Sequence, residues 1–337
     1  MKHIAIFFTA ILAVASSVAQ TVVIYPKSGD AITYKMSDID HIEFLPDGST
    51  DNPDESGYSV SELWSRRGDL NIFGKIYRPD GVADDTQLPT VILSHSASLT
   101  ADAMNAYAVA IAKAGFCAYA FDFCGACDES RSDGNVDDMT PFTEVDDLKA
   151  VIATMKANPG VNPEKICLLG SSLGGLVSAL TAEDSSLGVA GLILFYPAFN
   201  IPDLIALMDQ FGGFGGGSWG DFGDFGDWGD FGDFGGFGGF GMNYSEAFCN
   251  SMRGYDVYAN IGTFAKKVLI LHGSNDMIVK ISYSQQAVET YPDASLITIE
   301  GANHGFNADN LGSFGGSAEY DSIVIPEVIS YLNTYLQ

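Results

Sequence analysis

A serine stands at the centre of Gly170-Ser171-Ser172-Leu173-Gly174-Gly175, directly after the apolar run Lys165-Ile166-Cys167-Leu168-Leu169 and before an apolar stretch of helical character. A strand that reverses sharply into a helix holds its turning residue at a strained backbone position. The neighbours two residues away on each side must then be almost free of side chain, and Gly170 and Gly174 meet that demand. Ser172, not Ser171, is the central position. The helix that starts after it brings free N–H groups and the positive end of its dipole to the site. The pattern alone could be a chance turn; its strand–turn–helix setting makes Ser172 a candidate nucleophile.

A serine hydroxyl is unreactive at neutral pH without a base. The chain has five histidines. His3 and His41 lie in the N-terminal part, which leaves His95, His272 and His304. His304 sits in Gly301-Ala302-Asn303-His304-Gly305-Phe306, a loop after the last expected strand. Where this elbow is used, nucleophile, acid and base follow in that order, so His304 is the candidate base. His272 ends a strand, where a histidine is more often structural, and His95 is assigned to shaping the loop after residues 90–94. The acid belongs between Ser172 and His304. Asp276, in Leu271-His272-Gly273-Ser274-Asn275-Asp276, lies just past a strand and would orient one imidazole nitrogen. Its alternative role is to cap the next helix. Asp256 is the weaker competitor, since it precedes the strand. An oxyanion needs two N–H donors. They are assigned to Leu173, right after the nucleophile, and to Ala97 in the loop Ser94-His95-Ser96-Ala97-Ser98.

The elements that must position these residues follow from apolar periodicity. Residues 60–66 and 71–77 read as paired strands. Further strands are expected at 90–94, 117–121, 165–169, 191–195, 268–271 and 296–299, with helices near 101–114, 142–157, 173–182, 282–290 and 320–335. Short buried strands alternating with helices predict an α/β fold with a mostly parallel sheet covered on both faces.

The ends and seams read differently. Residues 1–19 have a basic start, an apolar run over 4–14 too short for a stable span, and Ser17-Val18-Ala19 as a cleavage site. This predicts a signal peptide cut after Ala19 and a secreted or periplasmic chain without a membrane anchor; a retained anchor is the alternative. Residues 20–57 form a small β-rich segment, with strands at 21–25, 32–35 and 41–45, then an acidic linker over 47–57. Within the main domain, 58–337, residues 211–241 hold 15 glycines, 10 aromatics and 5 aspartates in 31 positions. Period three fits neither helix nor strand. The segment reads as a flexible surface insertion, with a mobile aromatic lid as the sharper reading and a calcium-binding repeat as the weakest.

Composition excludes several classes. Hydrophobic residues make up 47% of 337 residues, enough for a large core, and the formal net charge of -27 repels phosphate backbones and anionic lipid heads. Nucleic-acid binding is therefore not expected. Five cysteines form no even disulfide framework and no zinc pattern. Cys124-Gly125-Ala126-Cys127 lacks a thioredoxin-type setting, Cys117 and Cys167 fall in buried strands, and a disulfide involving Cys124, Cys127 or Cys249 stays open.

Residues 60–337 resemble the α/β-hydrolases, and more narrowly the bacterial cinnamoyl/feruloyl esterases and their S9-peptidase-like relatives. The resemblance rests on Leu93-Ser94-His95, Ala120-Phe121-Asp122-Phe123-Cys124-Gly125, Arg131-Ser132-Asp133-Gly134, Met139-Thr140, the Ser172 elbow, and the stretches ending at Asp276 and around His304. It implies an α/β-hydrolase fold and a Ser-Asp-His triad that cleaves carboxylic esters, hydroxycinnamoyl esters of plant polysaccharide among them. No metal or organic cofactor is implied. The implied partner is a small-molecule or polysaccharide-linked ester; the oligomeric state is not encoded. The resemblance also implies a lid insertion, here residues 198–250. Two departures stand out: Ser96 replaces a usual glycine and Ala97 a bulky residue in the oxyanion loop, and the insertion has a low-complexity centre. Rival expectations are a short-chain esterase or a peptidase on the same three residues. A further rival is a catalytically weak binding protein that uses the aromatic repeat.

Overall fold

Strands that are apolar at every position persist only where both sheet faces are covered. The chain satisfies this with two hydrophobic layers. The computed structural model describes residues 57–210, 244–308 and 319–337, with the backbone of 21–24 and 32–35. It divides into two units, 1–56 and 57–337. In the first, β1 (Thr21–Ile24) and β2 (Ile32–Lys35) form an antiparallel hairpin. The expected signal peptide, the strand at 41–45 and nearly all of the linker lie outside the described residues, as does the repeat at 211–241.

In the second unit an eight-stranded sheet is built from β3 (Tyr58–Glu62), β6 (Gly74–Pro79), β7 (Leu88–Ser94), β8 (Cys117–Phe121), β9 (Val161–Ser171), β10 (Gly191–Phe195), β11 (Val268–Gly273) and β12 (Ala294–Ile299). Their spatial order is β12-β11-β10-β9-β7-β8-β6-β3, parallel from β12 to β8 and antiparallel at β6 and β3. Successive side chains point to opposite faces. Val91, Leu93, Cys167, Leu169, Leu269 and Leu271 join one core with α1 (Asn105–Lys113) and α7 (Asp321–Tyr335). Ile92, Ile166, Leu168, Val268 and Ile270 join the other, with α2 (Pro141–Ala157), α3 (Leu173–Ala182) and α6 (Ile281–Thr290).

The expected elements correspond closely in the centre of the sheet and less well at its edge. The pair expected at 60–66 and 71–77 is antiparallel, but each member is broken in two. β3 pairs with β6, while β4 (Ser65–Arg67) leaves the sheet and pairs with β5 (Leu70–Ile72). The cause is Tyr119. A Cβ on Gly74 would sit 2.2 Å from the Tyr119 hydroxyl, so that ring occupies the space over the strand. Its hydroxyl donates to the Leu63 carbonyl at 2.7 Å, taking a group the ladder would use. The expected helix at 101–114 is likewise split, into a 3₁₀ turn over Ala101–Met104 and then α1.

β7 and β9 are adjacent, yet the chain leaves them toward opposite edges of the sheet. Such a reversal opens a crevice at the carboxyl ends of the strands. Register aligns Ser94 with Gly170, Ser171 with Phe195, and Phe195 with Leu271. The segments that follow these four strands therefore start from one level, and at or just beyond the strand ends lie all the candidate residues but His304, which follows β12. The segment after β10 opens with α4 (Ile201–Gln210) and closes with α5 (Glu246–Met252), two helices that the composition of the insertion did not reveal.

Candidate active site

Ser172 is the N-cap of α3 and has φ +52°, a left-handed value that a side chain makes costly. The two glycines show why the turn is so tight. A Cβ on Gly170 would lie 2.1 Å from the Gly174 carbonyl oxygen, and one on Gly174 would lie 2.4 Å from the carbonyl oxygens of Ser94 and His95. The start of α3 is thus pressed onto the end of β7. The loop after β10 straps it down: Ser172 N–H donates to the Phe195 carbonyl and Ala198 N–H donates to the Ser172 carbonyl, both at 2.9 Å.

The three residues singled out in the sequence meet here. His304 Nε2 lies 3.1 Å from Ser172 Oγ, and His304 Nδ1 lies 2.8 Å from Asp276 Oδ2. Asp276 is buried and divides its oxygens. Oδ1 accepts from the Ile278 and Val279 N–H groups at 2.9 Å, fixing its own turn. Oδ2 serves the histidines. Asp276 therefore caps a turn and holds His304 at once, so the two roles weighed for it coexist. Asp256 lies exposed, with its carboxylate on the Ala259 N–H.

The loops that carry Asp276 and His304 are stapled together. Asn275 N–H donates to the Ala302 carbonyl at 3.0 Å, and Gly301 N–H donates to Ser274 Oγ at 2.8 Å. Gly273 permits the approach, since a Cβ there would fall 2.2 Å from the Ala302 oxygen.

His272 contributes more than a strand end. It is fully buried, and its Nε2 lies 2.7 Å from the Val279 carbonyl and 3.1 Å from Asp276 Oδ2, while Nδ1 meets Ser284 Oγ at 2.7 Å. Both neighbours of Nε2 are acceptors, so this nitrogen carries the proton and donates toward Asp276. Burial pushes the Asp276 carboxyl up. The His304 charge and the hydrogen bonds of His272 and His304 outweigh that and hold it well below the usual carboxylate range.

Leu173 is buried at the first position of α3, where helix geometry leaves its N–H without an intrahelical acceptor. Ala97 is half-buried in the loop after β7, and no acceptor among the described residues takes its N–H. His95 shapes this loop as expected. The Phe123 N–H donates to its Nε2 at 3.1 Å, so Nδ1 carries the proton and donates to the Ser96 carbonyl at 2.8 Å. Burial keeps the ring neutral by lowering its pKa. Asp122 ties the neighbouring loops by accepting from the Ala101 N–H at 2.7 Å and the Arg131 N–H at 2.8 Å.

Residues 86–215 match a family model described as serine aminopeptidase, S33. Est1E from Butyrivibrio proteoclasticus, in a structure with bound ferulic acid, superimposes with a TM-score of 0.65 at 19% identity, covering 81% of this chain and 98% of that one. An esterase from Pyrococcus furiosus gives 0.59 at 17% identity, covering 86% and 96%. Fungal esterases from Rhizomucor miehei give 0.56 at 16% identity, covering 83% and 84%. No curated protein sequence matches. The chain has the α/β-hydrolase fold.

Within this hydrolase fold, sequence reasoning missed Tyr196. It has φ +36°, and its ring lies 4.5 Å from that of His304, centroid to centroid, forming a wall beside that imidazole. The available signal was its place directly after the apolar strand, in Phe195-Tyr196-Pro197, which corresponds to the Ser172 position one strand over. The acidic pair on α2 was missed too. Asp147 is buried, accepts from Arg67 Nε at 2.5 Å and from the Cys124 N–H at 2.9 Å, and so anchors the β8–α2 loop. Glu144 is buried with one carboxyl oxygen unpartnered, and burial together with the Asp147 charge raises its pKa well above the usual range. All five cysteines are free thiols, with Cys124 and Cys249 buried and Cys127 partly so. Among the described residues no cluster of ligating side chains could hold a metal ion, and no helix is long and apolar enough to cross a membrane.

Proposed function

We propose that this hydrolase is an exported serine carboxylesterase acting on hydroxycinnamoyl esters of plant polysaccharide. The observation that carries the reading is the hydrogen-bonded series Asp276–His304–Ser172, which ends on a strained serine beside the Leu173 N–H. Ser172 Oγ attacks the ester carbonyl carbon while His304 Nε2 takes its proton. Asp276 holds the imidazole in the tautomer that can do so and stabilises the cation that forms. The Leu173 and Ala97 N–H groups receive the charge on the carbonyl oxygen. His304 then returns the proton to the leaving alcohol, and water attacks the acyl-serine with His304 again as base. The carboxylic acid and alcohol are the products, and Ser172 is restored.

The acyl preference draws support from the structural likeness to a protein that holds ferulic acid. Export draws on the apolar run at 4–14 and the small residues before Gln20. N-terminal sequencing of the exported chain is expected to begin at Gln20. The match to a serine aminopeptidase model favours, as a second reading, a different carbonyl substrate for the same three residues.

The deciding experiment compares p-nitrophenyl acetate with methyl ferulate for wild type and Ser172→Ala. Both esters are expected to be cleaved, with a loss of about 10⁴-fold or more in the variant. Cleavage of the acetate alone moves the substrate to short-chain esters. No Ser172-dependent cleavage in a folded wild type overturns the esterase reading and turns attention to the aromatic repeat as a binding element.

A further inference from the structure

The loop after β7 departs from the expected pattern at Ser96, and the structure gives that hydroxyl a specific partner. Ser94 pairs with Gly170 in the sheet, so the next residues of both strands leave side by side. Ser96 Oγ lies 3.0 Å from Ser171 Oγ and 3.4 Å from the Ser171 carbonyl oxygen. Ser171 Oγ also meets Met104 Sδ at 3.5 Å. Both serines are buried, at 8% and 3% exposure, so water does not compete for these bonds. Tyr196, directly after β10, packs its ring on His304.

Ser96 is therefore held twice. Its side chain is tied to the strand that carries Ser172, and its carbonyl oxygen accepts from His95 Nδ1 at 2.8 Å. A peptide unit is planar and trans, so the carbonyl of one residue and the N–H of the next point in opposite directions. Fixing the Ser96 carbonyl on His95 therefore turns the Ala97 N–H away from that ring. The residue that glycine would leave free to swing is pinned at both ends of its freedom.

We infer that Ser96 and Ser171 are a positioning pair that aims the Ala97 N–H at the developing oxyanion. Neither serine touches the reacting atoms. The inference rests on the esterase reading above and adds the source of its second oxyanion donor. It also gives the serine at this position a task, since its hydroxyl ties the loop to the end of β9.

The test uses the full chain with Ser96→Ala, Ser171→Ala and the double variant. It measures kcat and KM on p-nitrophenyl acetate, inhibition by phenylboronic acid as a tetrahedral mimic, and the melting temperature. Each single variant is expected to lose about tenfold in kcat with KM within about twofold, because the aim of one donor is blurred while ground-state binding is kept. The boronic acid should weaken by the same factor. The double variant should lose no more than either single one, since the two hydroxyls act as a unit. Unchanged kcat and boronic acid affinity in a folded Ser96→Ala overturn the inference, as do losses that multiply in the double variant. A drop in melting temperature with kcat intact assigns the pair a structural role only and also overturns it. Ser171→Ala keeps the question open to refutation should Ser96→Ala not fold. Failure of the esterase reading has a different signature, the absence of Ser172-dependent hydrolysis in wild type.

Discussion

Ser172 has two flanks, and they are held in place by different physics. On the β11–β12 flank the organising group is a buried charge. Asp276 accepts two backbone N–H bonds on one oxygen and two imidazoles on the other. On the β7–β8 flank the organising group is a neutral imidazole. His95 takes one backbone N–H and gives its own proton to one carbonyl, with a pair of serine hydroxyls beside it. Each flank thus has a buried histidine at a strand end, His272 on one side and His95 on the other. Under the proposed mechanism, the difference matches what each flank would have to hold. A base that becomes cationic requires a counter-charge that stays ionised. A backbone donor requires only a fixed peptide plane.

The contrast can be broken most severely at Asp276. Asp276→Asn presents an amide to two imidazole protons, so His304 turns to the wrong tautomer. We expect kcat/KM on p-nitrophenyl acetate to fall by about 10⁴-fold while the fold survives. Survival with near-normal activity would show that this flank does not depend on charge. Next comes the contact of the elbow with the β7–β8 flank. Gly174→Ala forces a Cβ to within 2.4 Å of the Ser94 and His95 oxygens. Unfolding by denaturant should show a loss of about 3 kcal/mol or more, a clash that no surface glycine would produce.

The pH dependence sharpens the comparison. Both groups have folded pKa values below their unfolded ones, so both contribute stability that is lost as pH falls, but in different windows. The stability that His95 contributes is present above about pH 6.5, the unfolded value, and declines below it. The contribution of Asp276 is present above about pH 4 and declines only below that. The penalty of His95→Leu should therefore shrink between about pH 7 and pH 5, while that of Asp276→Asn stays level over the same range. Denaturant unfolding at pH 7, 5 and 3.5 separates them, and parallel profiles would remove the distinction.

The smallest effect is expected at a third titratable group, on α2. Glu144 is raised, so its stabilising contribution is present below about pH 4.3 and is lost as pH rises. Glu144→Gln should raise the melting temperature by about 2 °C at pH 8 and leave it unchanged at pH 4. A fall at pH 8 would mean that the ionised carboxylate is used after all.

How much of this was legible in the residues follows from the range of each interaction. The strands at Cys117–Phe121 and Gly191–Phe195 and the helix at Leu173–Ala182 coincide with the expected spans, because an unbroken apolar run bounded by turn residues has few alternatives. The break between β3 and β4 was not legible, because a tyrosine 56 residues away from Leu63 causes it. Helices α4 and α5 were hidden by the composition of the segment between them.

The same division holds for the site. The elbow is a local device, and two glycines spaced about a serine state it in the sequence. The order of Ser172, Asp276 and His304 follows from chain order alone. The sequence could not state which oxygen of Asp276 meets which imidazole, that His272 backs the carboxylate, or that Ser96 finds Ser171. These depend on which strands become neighbours and in what register. Ser172 and His304 are 132 residues apart, and Ser96 and Ser171 are 75 apart. Bonds over such distances form only after the sheet has aligned the strand ends, so the local sequence determined the candidate reacting groups and the tertiary structure decided how they are aimed.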